Sequence, residues 1–172
     1  MISVSCFTYL AVVGFTQVSD PTAISSAKAT KHRLVNQARQ QVRRTDLLSK
    51  INALRKSNSL PRLSLDCKLT NAAQFMAEDM ATRNYMAHVT KSGLDISARV
   101  ALHGRKQFLI LRENIAAGNS STSKTMQQWI DSPTHYKNLI ADDVNVCGIG
   151  YAKGPKSTYT HYWVLDLGHF PE

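Results

Sequence analysis

Acidic residues are scarce in this 172-residue chain: 12 Asp and Glu stand against 21 Lys and Arg, a formal net charge of +9. The shortage is local as well as global. No acid occurs between Asp20 and Asp46, a stretch that carries Lys28, Lys31, Arg33, Arg39, Arg43 and Arg44. Most of the excess charge therefore sits ahead of the best-patterned part of the chain, either as a solvated tether or as a contact with an anionic surface through residues 28–44. Nucleic acid is disfavoured as the partner, because no Phe, Tyr or Trp is interleaved with these cations to stack on bases.

Cysteine is rarer still, at three. Cys6 lies in the apolar run CFTYLAVVGF, Cys6 to Phe15, which has the length of a secretory h-region and is too short to span a bilayer. Residues 1–20 are accordingly expected to be a signal peptide, and the protein to be secreted with no transmembrane segment. Loss of Cys6 with the leader leaves Cys67 and Cys147 as an even pair that an oxidising compartment can join; two buried free thiols are the alternative. The chain also lacks a phosphate loop, a nucleophile elbow, an HExxH helix and any paired-cysteine metal motif, so the common nucleotide-binding and hydrolase families are unsupported. What is present, 43% hydrophobic and 8% aromatic residues, suffices for an ordinary globular core.

Residues 21–44 read as a basic linker or a backward extension of the helix that follows. From Thr45, the spacing of Leu47, Leu48, Ile51 and Leu54 predicts one face of an amphipathic helix, ended by Ser57 to Pro61. Asp66 offers an N-cap to a second helix, whose apolar face is Leu69, Ala72, Ala73, Met76 and Met80 and which runs to Arg83. A short helix is expected around Ile96 to Leu102 and another over Lys124 to Asp131. Ser132-Pro133 starts a further one, with Ser as cap and Pro in the first turn. Val144 to Ala152 and Tyr159 to Leu167 are rich in Val, Ile, Tyr and Trp and read as an antiparallel hairpin. Helices followed by strands point to an α+β layered domain over 45–170.

Three residues in this frame have side chains suited to chemistry. His88 follows the long helix in NYMAHVTKSG, Glu113 lies in RENIAAG, and His135 stands near the start of the Ser-Pro helix. The positive end of that short helix disfavours imidazolium at His135 and so favours the neutral ring that a metal, or a proton acceptor, requires. Brought together, the three can make a hydrogen-bonded cluster or an open metal site completed by water. His103, His161 and His169 read as surface or packing residues.

The segments INALRKSNSLPRLSLDCKLTNAAQFMAEDMA, YMAHVTKSG, ENIAAG, WIDSPTHYKNLI, VCGIGYA and HYWVLDLG, in this order, resemble the CAP superfamily. That group comprises the cysteine-rich secretory, antigen 5 and pathogenesis-related proteins, also called SCP domains, and the likeness is to its short microbial branch. The resemblance implies a three-layer α-β-α sandwich with a C-terminal antiparallel hairpin. It also implies a cleft on which His88, Glu113 and His135 converge, the two histidines binding zinc or another divalent cation weakly. The second acid usual in the animal and plant branches has no clear counterpart; Asp131 is the nearest. The function implied is that of a secreted binding protein for a lipid or sterol, a cell-wall component or a protein, of a defence or virulence type, rather than an enzyme. The alternative is a metal-dependent hydrolase or protease using His88, His135 and Glu113.

Overall fold

The computed structural model describes residues 21–170, so the apolar run and the signal peptide expected over 1–20 lie outside the described residues. The chain divides into two units, residues 1–41 and 42–172. The described part of the first unit is the opening of helix α1 (Pro21–Ser57), so the basic segment is helical. In the second unit the same helix buries Leu47 and Ile51, two of the positions that the apolar spacing selects.

The second unit is built on one four-stranded sheet: β1 (Ser64–Leu65), β2 (Ile110–Ala117), β3 (Val146–Lys153) and β4 (His161–His169), in the order β1-β3-β4-β2. β3 and β4 form the predicted antiparallel hairpin, β2 adds antiparallel to β4, and β1 pairs parallel with β3. Helices α2 (Cys67–Arg83) and α3 (Ile96–Leu102) cover one face. The α1 segment of this unit, α4 (Thr122–Ile130) and α5 (Pro133–Leu139) cover the other. This is the expected α-β-α sandwich of an α+β protein. Asp66 caps α2 as predicted, accepting from the backbone N–H groups of Lys68 and Leu69 at 2.9 Å each. Ser132 does not cap α5 with its side chain; its hydroxyl meets Thr134 Oγ1 instead, at 3.3 Å.

Strand alternation assigns the layers. On β4, Trp163, Leu165 and Leu167 face α1, α4 and α5, while Tyr162 and Val164 face α2. On β3, Cys147, Ile149 and Tyr151 share the first face. Gly148 and Gly150 lie directly beneath α2, where an added Cβ would stand 2.1 Å from the backbone carbon of Leu69 and 2.2 Å from the carbonyl oxygen of Ala73. The missing side chains are what lets helix and sheet approach so closely.

The same alternation corrects the expected Cys67–Cys147 bridge. Cys67 opens α2, whereas Cys147 points to the opposite layer, where it is a free thiol with 0% exposure. Burial pushes that thiol up to about 12, which makes it an inert core residue.

Beyond the short β1, the outer edge of β3 needs a cover, since unpaired strand edges invite other chains. Gln74 of α2 supplies it, accepting from the Tyr151 N–H at 3.1 Å and donating to the Tyr151 carbonyl at 3.0 Å. Arg44 donates to the Ile149 carbonyl and to Gln74 Oε1, both at 2.9 Å, and Arg43 sits 4.5 Å above the Tyr151 ring. Packing of the domain thus begins two residues before the boundary at 45 expected from the sequence. On the other face Arg55, with 0% exposure, donates to the carbonyls of Pro61, Leu139 and Ala141 and so pins two loops to α1.

Gly150→Ala should lower the unfolding free energy by at least about 1–3 kcal/mol, because backbone on both sides must move to admit the methyl group. Urea denaturation measures this; an unchanged midpoint would contradict the close approach of α2.

Candidate functional site

The three residues singled out by the sequence are organised by β2, the strand that pattern reading missed. Glu113 and Asn114 are neighbours on it and therefore point to opposite faces. Glu113 turns toward the α2–α3 layer. Its Oε1 meets His88 Nδ1 at 2.7 Å, and its Oε2 is paired with an Nη of Arg99 from α3. The carboxylate is 4% exposed and the Arg99 side chain 0%, so this ion pair is buried. The other Nη of Arg99 donates to the backbone carbonyls of His88 and Leu94, at 2.9 and 3.2 Å. One guanidinium therefore holds both Glu113 and the loop that carries His88.

Asn114, also with 0% exposure, does the equivalent work on the other face. Its Nδ2 donates to the His135 carbonyl at 3.0 Å. Asn138 completes the tie, donating to Asn114 Oδ1 at 2.9 Å and to the Glu113 carbonyl at 3.2 Å. Two adjacent polar residues in the middle of one strand thereby fix the two histidine-bearing segments. Each does so with hydrogen bonds satisfied in the interior.

The histidines differ in their electrostatics. His88 has a side chain 56% exposed, and its bond to Glu113 holds its pKa above the ordinary value, against the smaller opposing effect of burial. His135 goes the other way. Burial, and then the charge of His88, hold it below the ordinary value, and its Nδ1 is buried without a hydrogen-bond partner. The neutral ring inferred from the helix start is thus favoured, but chiefly by desolvation.

Another ionisable group escaped the sequence reading. Asp166 of β4 lies opposite Glu113 in the ladder and is fully buried, with no N–H or hydroxyl donor to either carboxyl oxygen and the Glu113 carboxyl as its hydrogen-bonding neighbour. Directly opposed like charges destabilise a strand pair. Burial first, and the Glu113 charge second, hold the Asp166 carboxyl well above the usual range, so it favours the neutral, protonated form.

As three direct ligands of a metal, His88, Glu113 and His135 do not fit. Both Glu113 oxygens are engaged, and among the described residues no group of three or more His, Cys, Asp or Glu side chains stands together in a way that could hold an ion. Asp131 lies apart from the cluster; it ends α4 and accepts from Gln127 at 2.7 Å. His103 packs edge-on to Phe75 and His161 bonds the Tyr151 hydroxyl at 2.7 Å, both in packing roles.

A three-layer sandwich with a buried ion pair and two histidines at its sheet edge defines the architectural class, and comparison with known proteins defines the family. Residues 48–167 match the Cysteine-rich secretory protein (CAP) family, well over half of the chain, and the protein belongs to that family. It is similar to the Bacillus subtilis (strain 168) protein YkwD, itself uncharacterized, at 27% identity over 105 residues, which is 59% of this chain and 39% of YkwD. The chain thus spans well under half the length of that relative. Among solved structures it resembles an outer surface protein from Borrelia burgdorferi, with TM-score 0.68 and 25% identity over 75% of this chain and 93% of that one. An extracellular SCP-domain protein from Bacillus anthracis str. Ames shares the fold, with TM-score 0.67 and 23% identity over 76% of this chain and 41% of that one.

Proton NMR titration of the imidazole rings checks the electrostatics. A raised folded pKa at His88 contributes stability that is fully present below 6.5 and is lost as pH rises through the folded value. The lowered value at His135 imposes a penalty that grows as pH falls below 6.5 toward that lower midpoint. His88 should therefore titrate above, and His135 below, the ordinary midpoint, and Glu113→Gln should bring His88 down. A wild-type His88 midpoint at or below 6.5 would contradict the assigned contact.

Proposed function

We propose that this protein is a secreted CAP-type binding protein whose cleft, bordered by His88 and His135, takes a lipid or sterol, a cell-wall component or a protein ligand. The observation that carries the reading is the closed network around Glu113. Its carboxylate is neutralised by Arg99 and occupied by His88. A carboxylate in that state is a fixed acceptor that orients an imidazole, and a poor base for activating water. The alternative of a metal-dependent hydrolase gains nothing from this arrangement. Secretion is supported by the apolar run at 6–15 and by the likeness to an outer surface protein. Among the described residues no helix is long and apolar enough to cross a membrane.

Zinc or another divalent cation enters this reading only as a weak ligand of two imidazoles. The Nδ1 bond of His88 to Glu113 leaves its Nε2 as the coordinating atom and gives it the carboxylate–histidine support common behind metal-bound imidazoles. His135 contributes the second ring, while Glu113 acts behind His88 and not as a ligand.

Calorimetric titration with zinc should show weak binding that falls as pH drops through the histidine range and is lost in His135→Ala. Zinc-loaded protein should leave a broad peptide library intact. Metal-dependent cleavage that disappears in the His88→Ala/His135→Ala double variant would overturn the binding-protein reading, and equal zinc binding by wild type and His135→Ala would remove the metal from it.

A further inference from the structure

The basic helix of the first unit is not accounted for by the cleft. Its described residues carry Lys28, Lys31, Arg33 and Arg39 with no acid among them, and none of the four is in an ion pair among the described residues. Such a run repels itself unless an outside anion offsets it. The charge is also distributed. At 100° per residue, Lys28, His32 and Arg39 fall on one flank, while Ala27, Leu34, Val35 and Ala38 form a stripe beside it. Leu34 is 56% exposed and Val35 40%, large apolar side chains left facing water on the side of a charged helix. Lys31 lies within the stripe, where its long stem can run along apolar surface while its ammonium reaches outward.

We propose that the helical segment 21–41 lies in the plane of an anionic lipid bilayer, with Leu34 and Val35 entering the boundary between headgroups and chains and Lys28, Lys31 and Arg39 among the lipid phosphates. Cations flanking an exposed apolar stripe are the two components that interfacial helices combine. A soluble polyanion would use the cations but not Leu34 and Val35, and nucleic acid would in addition favour stacking aromatics, of which residues 21–41 have none. The proposal stands independently of the cleft reading, since none of its residues borders His88 or His135 in the sequence.

Co-sedimentation of the full chain with vesicles of phosphatidylcholine alone, or of phosphatidylcholine containing phosphatidylglycerol, tests it. The protein should sediment with the anionic vesicles only, and binding should fall with added salt. Lys28→Glu/Arg39→Glu should lower the partition coefficient at least about tenfold, since each cation near an anionic surface contributes roughly a fivefold factor. Leu34→Ser/Val35→Ser should lower it severalfold at unchanged charge. Both sites are exposed, so thermal melting of the variants should match the parent. No binding to anionic vesicles, equal binding to neutral ones, or indifference to the glutamate variant would overturn the proposal; the last would place binding in another part of the chain. Serine variants that bind as well as the parent would overturn it too, and identify a purely electrostatic polyanion site.

Discussion

The organisation of this protein depends on one buried ion pair, Arg99 with Glu113, at 0% and 4% side-chain exposure. It stands where two carboxyl groups would otherwise face each other across the β2–β4 ladder, Glu113 against Asp166. Removing one member of such a pair leaves an uncompensated charge in the interior and typically costs about 3–5 kcal/mol. Replacing both with apolar residues is often tolerated. The pair is therefore better understood as a device that specifies geometry than as a source of net stability. What it specifies is the position of the His88 loop, because the same guanidinium bonds the His88 and Leu94 carbonyls.

From that constraint the character of the site follows. Both Glu113 oxygens are engaged, His88 is the carboxylate's outermost and most exposed partner, and burial shifts Asp166 toward its protonated form. Asn114 and Asn138 reproduce the arrangement on the opposite face without charge, seating His135 in a desolvated place that favours its neutral ring. The outcome is two imidazoles with opposite protonation preferences, raised at His88 and lowered at His135. Glu113, Asn114 and Asn138 at the centre of the site are hydrogen-bonded, whereas His135 Nδ1 is buried without a partner.

Much of the frame was legible in the sequence because it rests on local periodicity. The faces of α1 and α2, the Asp66 cap and the closing hairpin each follow from spacing alone. β2 was not legible, since Arg112, Glu113 and Asn114 interrupt its apolar alternation for reasons that only the tertiary structure supplies. The misjudged disulfide has the same origin. Gly148 and Gly150 mark one face of β3 for close approach of α2, and reading them that way would have placed Cys147 on the other. Asp166 did leave a trace, as the one acid in the otherwise apolar run YWVLDLG; Arg99 left none, because an arginine in a short helix is ordinarily a solvent-facing residue.

The most direct test of the central claim is a double-mutant cycle on unfolding free energy with Arg99→Met, Glu113→Gln and the pair combined. If the ion pair is what holds the site, the two single losses should together exceed the loss in the double variant by more than about 1 kcal/mol, with Arg99→Met alone costing about 3–5 kcal/mol. Losses that simply add would contradict the account, since they would mean that Arg99 and Glu113 act independently and that some other contact positions His88.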